Sequence, residues 1–192
     1  LLDVQLTSVT TGDVLTWNGS KWINTRDVIL NSLQLRGGTG TQGTFSWNAD
    51  EETVDLIQNG AVLQLGQEVQ THVRNATAST IGNGKVVMVT GTIGASGRIT
   101  VGLYDGVSEV KYILGVCTEN IAAGDDGKVT HFGKVRGVNT SAWNEGDLLY
   151  PTTNGGFTNV APTSGVRLAL ALVITKHATN GTIICVRWGV TP

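Results

Sequence analysis

GKVTHFGKVRGVNTSAWNEGDLLYP, residues Gly127 to Pro151, is the stretch from which the fold class is read. Its first half alternates apolar and polar residues, with Val129 and His131, then Val135 and Val138 on either side of Arg136 and Gly137. That is the period of a strand with one buried face. The chain breaks at Asn139-Thr140-Ser141 and turns again at Asn144-Glu145-Gly146-Asp147. It re-enters as a short apolar strand, Leu148-Leu149-Tyr150, which Pro151 is expected to stop. No residue in the stretch looks catalytic, so it reads as scaffold.

Composition extends the reading to the whole chain. Of 192 residues, 15% are charged and 26 are glycine, the makeup of a β protein with many turns. No window of a dozen residues keeps apolar groups at helical spacing without a glycine, so the expected class is all-β. A net charge of -2 with scattered Lys and Arg gives no electrostatic reason to bind nucleic acid. The longest apolar run, Leu168 to Ile174, fits a buried strand and is too short to span a bilayer, so no membrane insertion is expected.

The chain divides by pattern near Gly66-Gln67. Residues 1–66 form a string of short strands, with hairpins around Asn18-Gly19-Ser20 and Asn59-Gly60, where Asn-Gly suits a tight turn. So few large apolar groups make only a marginal core. The segment is therefore expected to intertwine with sister chains as a homotrimer, burying Trp17, Trp22, Phe45 and Trp47 between copies. Residues 67–192 carry strands at Glu68–Asn75, Lys85–Thr90, Arg98–Leu103, Tyr112–Thr118, Gly127–Val138, Asp147–Tyr150, Val166–Lys176 and Thr182–Trp188. With tight turns between them, these predict a compact antiparallel β barrel or sandwich, ending in a hairpin turned at Asn180-Gly181.

Candidate chemistry is sparse. Gly38-Thr39-Gly40-Thr41-Gln42-Gly43 matches the dinucleotide pattern, but Thr44 to Trp47 reads as strand where the mechanism needs a helix. Ser96 sits in a turn, one residue short of a hydrolase elbow. His72, His131 and His177 lack ligand spacing, and Asp125-Asp126 with Glu119 do not match a calcium loop. Cys117 and Cys185 read as small buried hydrophobes, although a disulfide stays open if their strands are neighbours. No catalytic residue, cofactor or metal is expected, and the protein is expected not to be an enzyme. The exposed-loop residues Tyr104, Asp105, Trp143 and Asn154 are the candidate contacts for a receptor.

Two stretches resemble phage virion proteins. Leu2-Asp3-Val4 followed by Gly12-Asp13-Val14-Leu15-Thr16-Trp17-Asn18-Gly19-Ser20-Lys21-Trp22 is similar to modules of bacteriophage tail fibres. Gly37 to Asn48, Phe132 to Thr140 and Asn144 to Tyr150 resemble fibre-like proteins of marine and cyanobacterial phages. Gly146-Asp147-Leu148-Leu149-Tyr150 and Gly155-Gly156-Phe157-Thr158 also resemble the small β domains of capsid decoration proteins. The resemblance implies a virion structural protein, assembled in the host cytoplasm and acting at the host cell surface. Its first reading is a homotrimeric tail fibre segment for host attachment, with other virion proteins and a surface glycan or receptor as partners. A start without Met fits a chain cut from a longer fibre. Its alternatives are a capsid decoration (cement) protein, and a tailspike-type glycan-degrading enzyme.

Overall fold

A computed structural model describes residues 3–25, 32–36, 42–58, 60–165 and 167–191. The protein is all-β, with only short 3-10 turns between strands. It divides into two compact units, Leu1–Leu33 and Gln34–Pro192.

The first unit holds β1 (Val4–Gln5), β2 (Val14–Trp17) and β3 (Trp22–Thr25) in the order β1-β3-β2. The expected hairpin is present, with Trp17 opposite Trp22. Its loop is longer than a two-residue turn. Asn18 Oδ1 accepts the N–H groups of Ser20 and Lys21 at 3.0 and 2.8 Å, and Gly19 alone takes a positive φ, +97°. Every described residue of this unit is exposed or half-buried.

A four-stranded sheet follows, β4 (Ser32–Arg36), which spans the boundary, then β5 (Gln42–Asn48), β6 (Thr53–Ile57) and β7 (Val62–Gln64) in the second unit, in chain order. Residues 38–41 of the glycine-rich motif lie outside the described residues, and the remainder opens β5 as a strand. The Asn59-Gly60 hairpin joins β6 to β7, with Gly60 at φ +83°; Asn59 itself is not described. The division at Leu33/Gln34 therefore places β5 to β7 with the larger unit, while Gln67 marks the approach to a closed barrel that starts at β8.

That barrel consists of β8 (Val69–Asn75), β9 (Val86–Ile93), β10 (Arg98–Leu103), β11 (Ile113–Cys117) and the first half of β12 (Asp126–Val138). The order β11-β9-β10-β8-β12 is closed by a further pairing of β11 with β12. One pair, β8 with β10, is parallel, which corrects the expectation of a purely antiparallel domain. The long Ile81 to Arg98 excursion through β9 separates those two strands in sequence and lets them run the same way.

β12 does two jobs, as its 13 residues allow. Asp126 to Phe132 pairs with β8, and Gly133 to Val138 pairs with β16 (Gly181–Thr191) in a second sheet that continues through β15 (Arg167–Thr175), β13 (Leu148–Thr152) and β14 (Gly156–Thr158). A register shift between Thr130 and Phe132 bends the strand where it leaves the barrel. Gly133 follows at φ +116°, and a Cβ there would lie 2.6 Å from Glu68 Cγ, so only glycine fits the bend.

Two cores result. Val73, Ile81, Val87, Val101, Cys117, Ile121 and Val129 fill the barrel. Val86, Ile113 and Val116 turn outward from it and meet Val135, Leu149, Leu168, Leu170, Val173, Ile183 and Cys185 beneath the second sheet. Adjacent residues of β9 and β11 thus feed opposite cores, so these strands read as near-continuous apolar runs. Each fully buried aliphatic side chain stabilises by about 1.5–3 kcal/mol. Both cysteines are buried and neither is in a disulfide, one lying in each core, as the reading of small hydrophobes expected.

Two turn assignments need correction. Pro151 does not stop β13, because by that position the strand has left β15 and pairs with Phe157 of β14, an unforeseen short strand. Asn180-Gly181 is not a two-residue turn. His177 Nδ1 accepts the N–H groups of Thr179 and Asn180 in a wider loop, and Gly181 is needed because a Cβ would strike Thr140 Oγ1.

Candidate interaction surfaces

The predicted contact residues fall into different roles. Tyr104, directly after β10, is only 5% exposed and belongs to the upper core, the one beneath the second sheet, so its assignment to an exposed contact loop is corrected. Its hydroxyl donates to the Ser108 carbonyl at 2.9 Å, and burial, aided by the Asp105 charge, pushes its pKa up. Its carbonyl accepts Gly155 N–H at 2.9 Å. Tyr104 is the peg that holds two surface loops together.

Those loops carry Asp105 and Asn154, both exposed. Asp105 folds its own loop: Oδ1 accepts the N–H groups of Val107 and Ser108, and Oδ2 accepts the Ser108 hydroxyl at 2.6 Å. That hydroxyl, with the two N–H groups, holds the carboxyl below its ordinary range. Asn154 takes a left-handed φ of +57° beside Gly155. Trp143 is half-buried and packs edge-on against Phe157 at 6.4 Å, on the rim of the upper core. The structure therefore brings together the loops of Tyr104, Asp105 and Asn154, and gives Trp143 a packing role.

Beside these loops lies a groove of about 620 Å³, with Val107, Val110, Lys111, Pro151, Pro162 and Leu168 among its walls. Val107 at its tip is 86% exposed, and nearby in sequence to Pro162 stands Val160 at 68%. Sequence reasoning passed over both valines, since a lone apolar residue in a loop carries no period. Lys111 closes one side, paired with Glu109 at 2.8 Å and lying over the Tyr112 ring.

A second cleft, of about 650 Å³, lies where the β6–β7 hairpin meets the barrel, with Ile57 and Val62 on one side and Asn83, Glu119, Asn120 and Arg136 among its polar walls. Asn83 donates to the carbonyls of Arg136 and Gly137, while Arg136 pairs at 2.8 Å with the almost fully buried Glu68. Glu119 stands 3.7 Å from Lys128. On the outer barrel face, Arg74 and Arg98 both hold Asp126, and the Arg74 hydrogen bond keeps that carboxyl below its ordinary range. His72 stands opposite Lys128, and desolvation, then the charges of Arg98 and Lys128, lower its pKa.

Among the described residues, no three His, Cys, Asp or Glu side chains are grouped to hold a metal. The Cys117 thiol is pushed up to about 12 by burial, which leaves it protonated and unreactive at neutral pH. Of the proposed inter-copy residues, Trp17, Trp22 and Trp47 are 51%, 42% and 64% exposed, and Phe45 is half-buried. Trp17 and Trp22 meet edge to face at 5.7 Å.

Two packed β cores with loop-borne apolar tips and tightly self-satisfied polar turns define a scaffold that presents surfaces. A family model for phage cement proteins matches residues 63–188, and the chain belongs to that family. It is accordingly a bacteriophage structural protein of the virion. Among solved structures, the N-terminal base of the head fibre protein gp8.5 of bacteriophage phi29 is similar, at 13% identity and a TM-score of 0.40. That match covers 65% of this chain and 99% of the other. No curated protein matches the chain.

Proposed function

We propose that this protein decorates the phage head, binding the assembled shell and stabilising it without turnover. The observation that carries the reading is the cement-protein match over residues 63–188, which spans the barrel and the second sheet. The N-terminal module Leu2 to Trp22, which tipped the resemblance toward a tail fibre, lies outside that span, while Phe132 to Thr140 and Asn144 to Tyr150 lie within it, so head decoration replaces tail placement and host attachment as the reading. A ligand that binds only the assembled shell stabilises it by mass action, and many identical copies repeat that gain across the lattice. Val107 and Val160, exposed beside rigidly held loops, supply apolar surface that shell binding would cover. A homotrimer belongs to this proposal, with Trp17, Trp22, Phe45 and Trp47 as its contacts between copies.

The test is to add purified chain to heads that lack it and image them. Density on the outer shell surface, with heads surviving higher temperature or chelator, is the expected result. Density confined to the tail would overturn it, and release of oligosaccharide from host envelope by the purified chain would favour a glycan-degrading enzyme.

A further inference from the structure

The cleft of about 650 Å³ between the β6–β7 hairpin and the barrel lies within the size range of small-ligand sites, roughly 300–1,000 Å³. Its polar walls come from four places in the chain: Gln58 after β6, Asn83 before β9, Glu119 and Asn120 after β11, and Arg136 of β12. These walls are fixed from behind. Asn83 Nδ2 donates to the carbonyls of Arg136 and Gly137 at 2.7 and 3.2 Å, and Asn83 N–H donates to Asn120 Oδ1 at 2.8 Å. Gly60, at φ +83° in the hairpin, lies so close to Glu119 that a Cβ there would overlap Oε2.

Hydrogen-bonding capacity is left over on the same residues. Both Nδ2 hydrogens of Asn83 go to carbonyls, which sets the orientation of its amide and leaves Oδ1 without a donor. Among the described residues, Gln58 Oε1 and Glu119 Oε1 also have no hydrogen-bond donor, and all three oxygens are shut off from bulk solvent. The Lys128 ammonium stands 3.7 Å from Glu119, an ion pair longer than a hydrogen bond. Buried acceptors of this kind call for a donor from elsewhere. Donors stand beside them: Asn120 is exposed with its NH2 group directed away from the Asn83 bond, and the Arg136 side chain is 37% exposed.

Charge then narrows the ligand. Arg136 is balanced by Glu68 at 2.8 Å and Glu119 by Lys128, so the walls are polar without a net charge to hold an ion. Ile57, 43% exposed, and half-buried Val62 add an apolar strip. Donors and acceptors interleaved beside such a strip match a ring with hydroxyls on its edge and C–H groups on its face, because each hydroxyl both donates and accepts.

We propose that this cleft binds a neutral saccharide unit. Its hydroxyls donate to the oxygens of Gln58, Asn83 and Glu119 and accept from Asn120 and Arg136, while the ring face rests on Ile57 and Val62. Glu119 is the only carboxylate among the described lining residues, where glycoside cleavage uses a pair, so the sugar is bound and released unchanged. None of these residues is among the contacts expected from the sequence. The site is independent of the decoration reading, because it belongs to the isolated chain.

The test is an NMR titration of the isotope-labelled full chain with glucose, galactose and N-acetylglucosamine, and with glucuronate as an acidic counterpart. At least one neutral sugar is expected to move the amide signals of Gln58, Asn83, Asn120 and Arg136. Glucuronate should bind about tenfold or more weakly, since its carboxylate meets that of Glu119. Asn120→Ala, at an exposed position, and Glu119→Gln should each weaken the neutral sugar by about tenfold, the loss of one good hydrogen bond. An unchanged spectrum away from the cleft shows that these variants are folded, and Val160→Glu should bind as the natural chain does. Competition by host envelope in the same titration tells a surface glycan from a free saccharide, and either source satisfies the proposal. No shift with any neutral sugar at about 50 mM, well above a millimolar Kd, would overturn it. So would shifts confined to other parts of the chain, or variants that bind as tightly as the natural sequence.

Discussion

The first 33 residues and the barrel domain use the same vocabulary of short strands, Asn-Gly turns and tryptophans, yet they stand at opposite ends of the burial scale. In the barrel domain Val86, Val116, Leu149, Leu170 and Ile183 are completely or almost completely removed from solvent. In the N-terminal unit Leu6, Val9, Leu15 and Trp17 are all more than half exposed. The difference is one of closure. A ring of strands that pairs its first member with its last, and folds a second sheet over its outside, makes two interiors. In the three-stranded sheet no described residue is buried. Burial is therefore distributed unevenly along the chain.

The largest expected effect that sharpens this contrast comes from truncating matched leucines. Leu149→Ala or Leu170→Ala, each fully buried, should cost about 2–5 kcal/mol in denaturant unfolding of the domain. Leu15→Ala, 54% exposed, should change it by less than about 0.5 kcal/mol. Equal costs at the two sites would break the comparison.

Two asparagines give the next test. Buried Asn75 donates to the carbonyls of Ser79, Ile121 and Ala122 and accepts from Thr77, tying two loops to the barrel mouth. Asn75→Ala strands those groups away from water and should cost about 2–3 kcal/mol by thermal unfolding. Asn24 links Thr7 to Asp13 with a similar set of bonds, but in a half-exposed place. Water replaces what Asn24→Ala removes, so about 0.5 kcal/mol is expected.

Glycines follow the same rule at smaller scale. Gly133→Ala adds a steric clash with Glu68 to the strain of φ +116°, for about 2 kcal/mol. Gly12→Ala, at φ +97° with nothing within 4 Å, should meet strain alone, about 1 kcal/mol.

The smallest effect is a pH limb. The Arg74 hydrogen bond lowers the Asp126 pKa in the folded protein, so its contribution is complete above the ordinary carboxylate range and is lost as pH falls through the depressed folded value. Asp126→Asn should therefore flatten the acid side of the stability profile, below about pH 4, and leave the alkaline side unchanged. Loss of stability on the alkaline side would contradict that assignment.

Much of this architecture was legible in the chain. Alternation in Val129 to Val138 and the long run Leu168 to Ile174 marked strands whose burial the structure bears out. Closure was not legible, because the bend at His131 to Gly133 leaves only a glycine in an otherwise regular pattern. The three-residue β14 and the passage of Pro151 through β13 were hidden for a related reason, since edge pairing tolerates residues that propensity rejects. Tyr104 misled because it follows a strand and precedes Asp105-Gly106, the signature of an exposed turn; its ring instead turns back into the core. That Phe45, Leu56 and Leu63 share one face of β5 to β7 depends on register between strands, which a single strand's sequence does not carry.

Hydrogen–deuterium exchange on the full chain, followed over a dilution series, tests the central contrast most directly. The account predicts strong protection of β12, β15 and β16 at every concentration. It predicts protection of β2, β3 and β5 that rises with concentration as copies meet. Concentration-independent protection of β2 and β3 equal to that of β12 would show that the leading segment is completed within one molecule, and would contradict it.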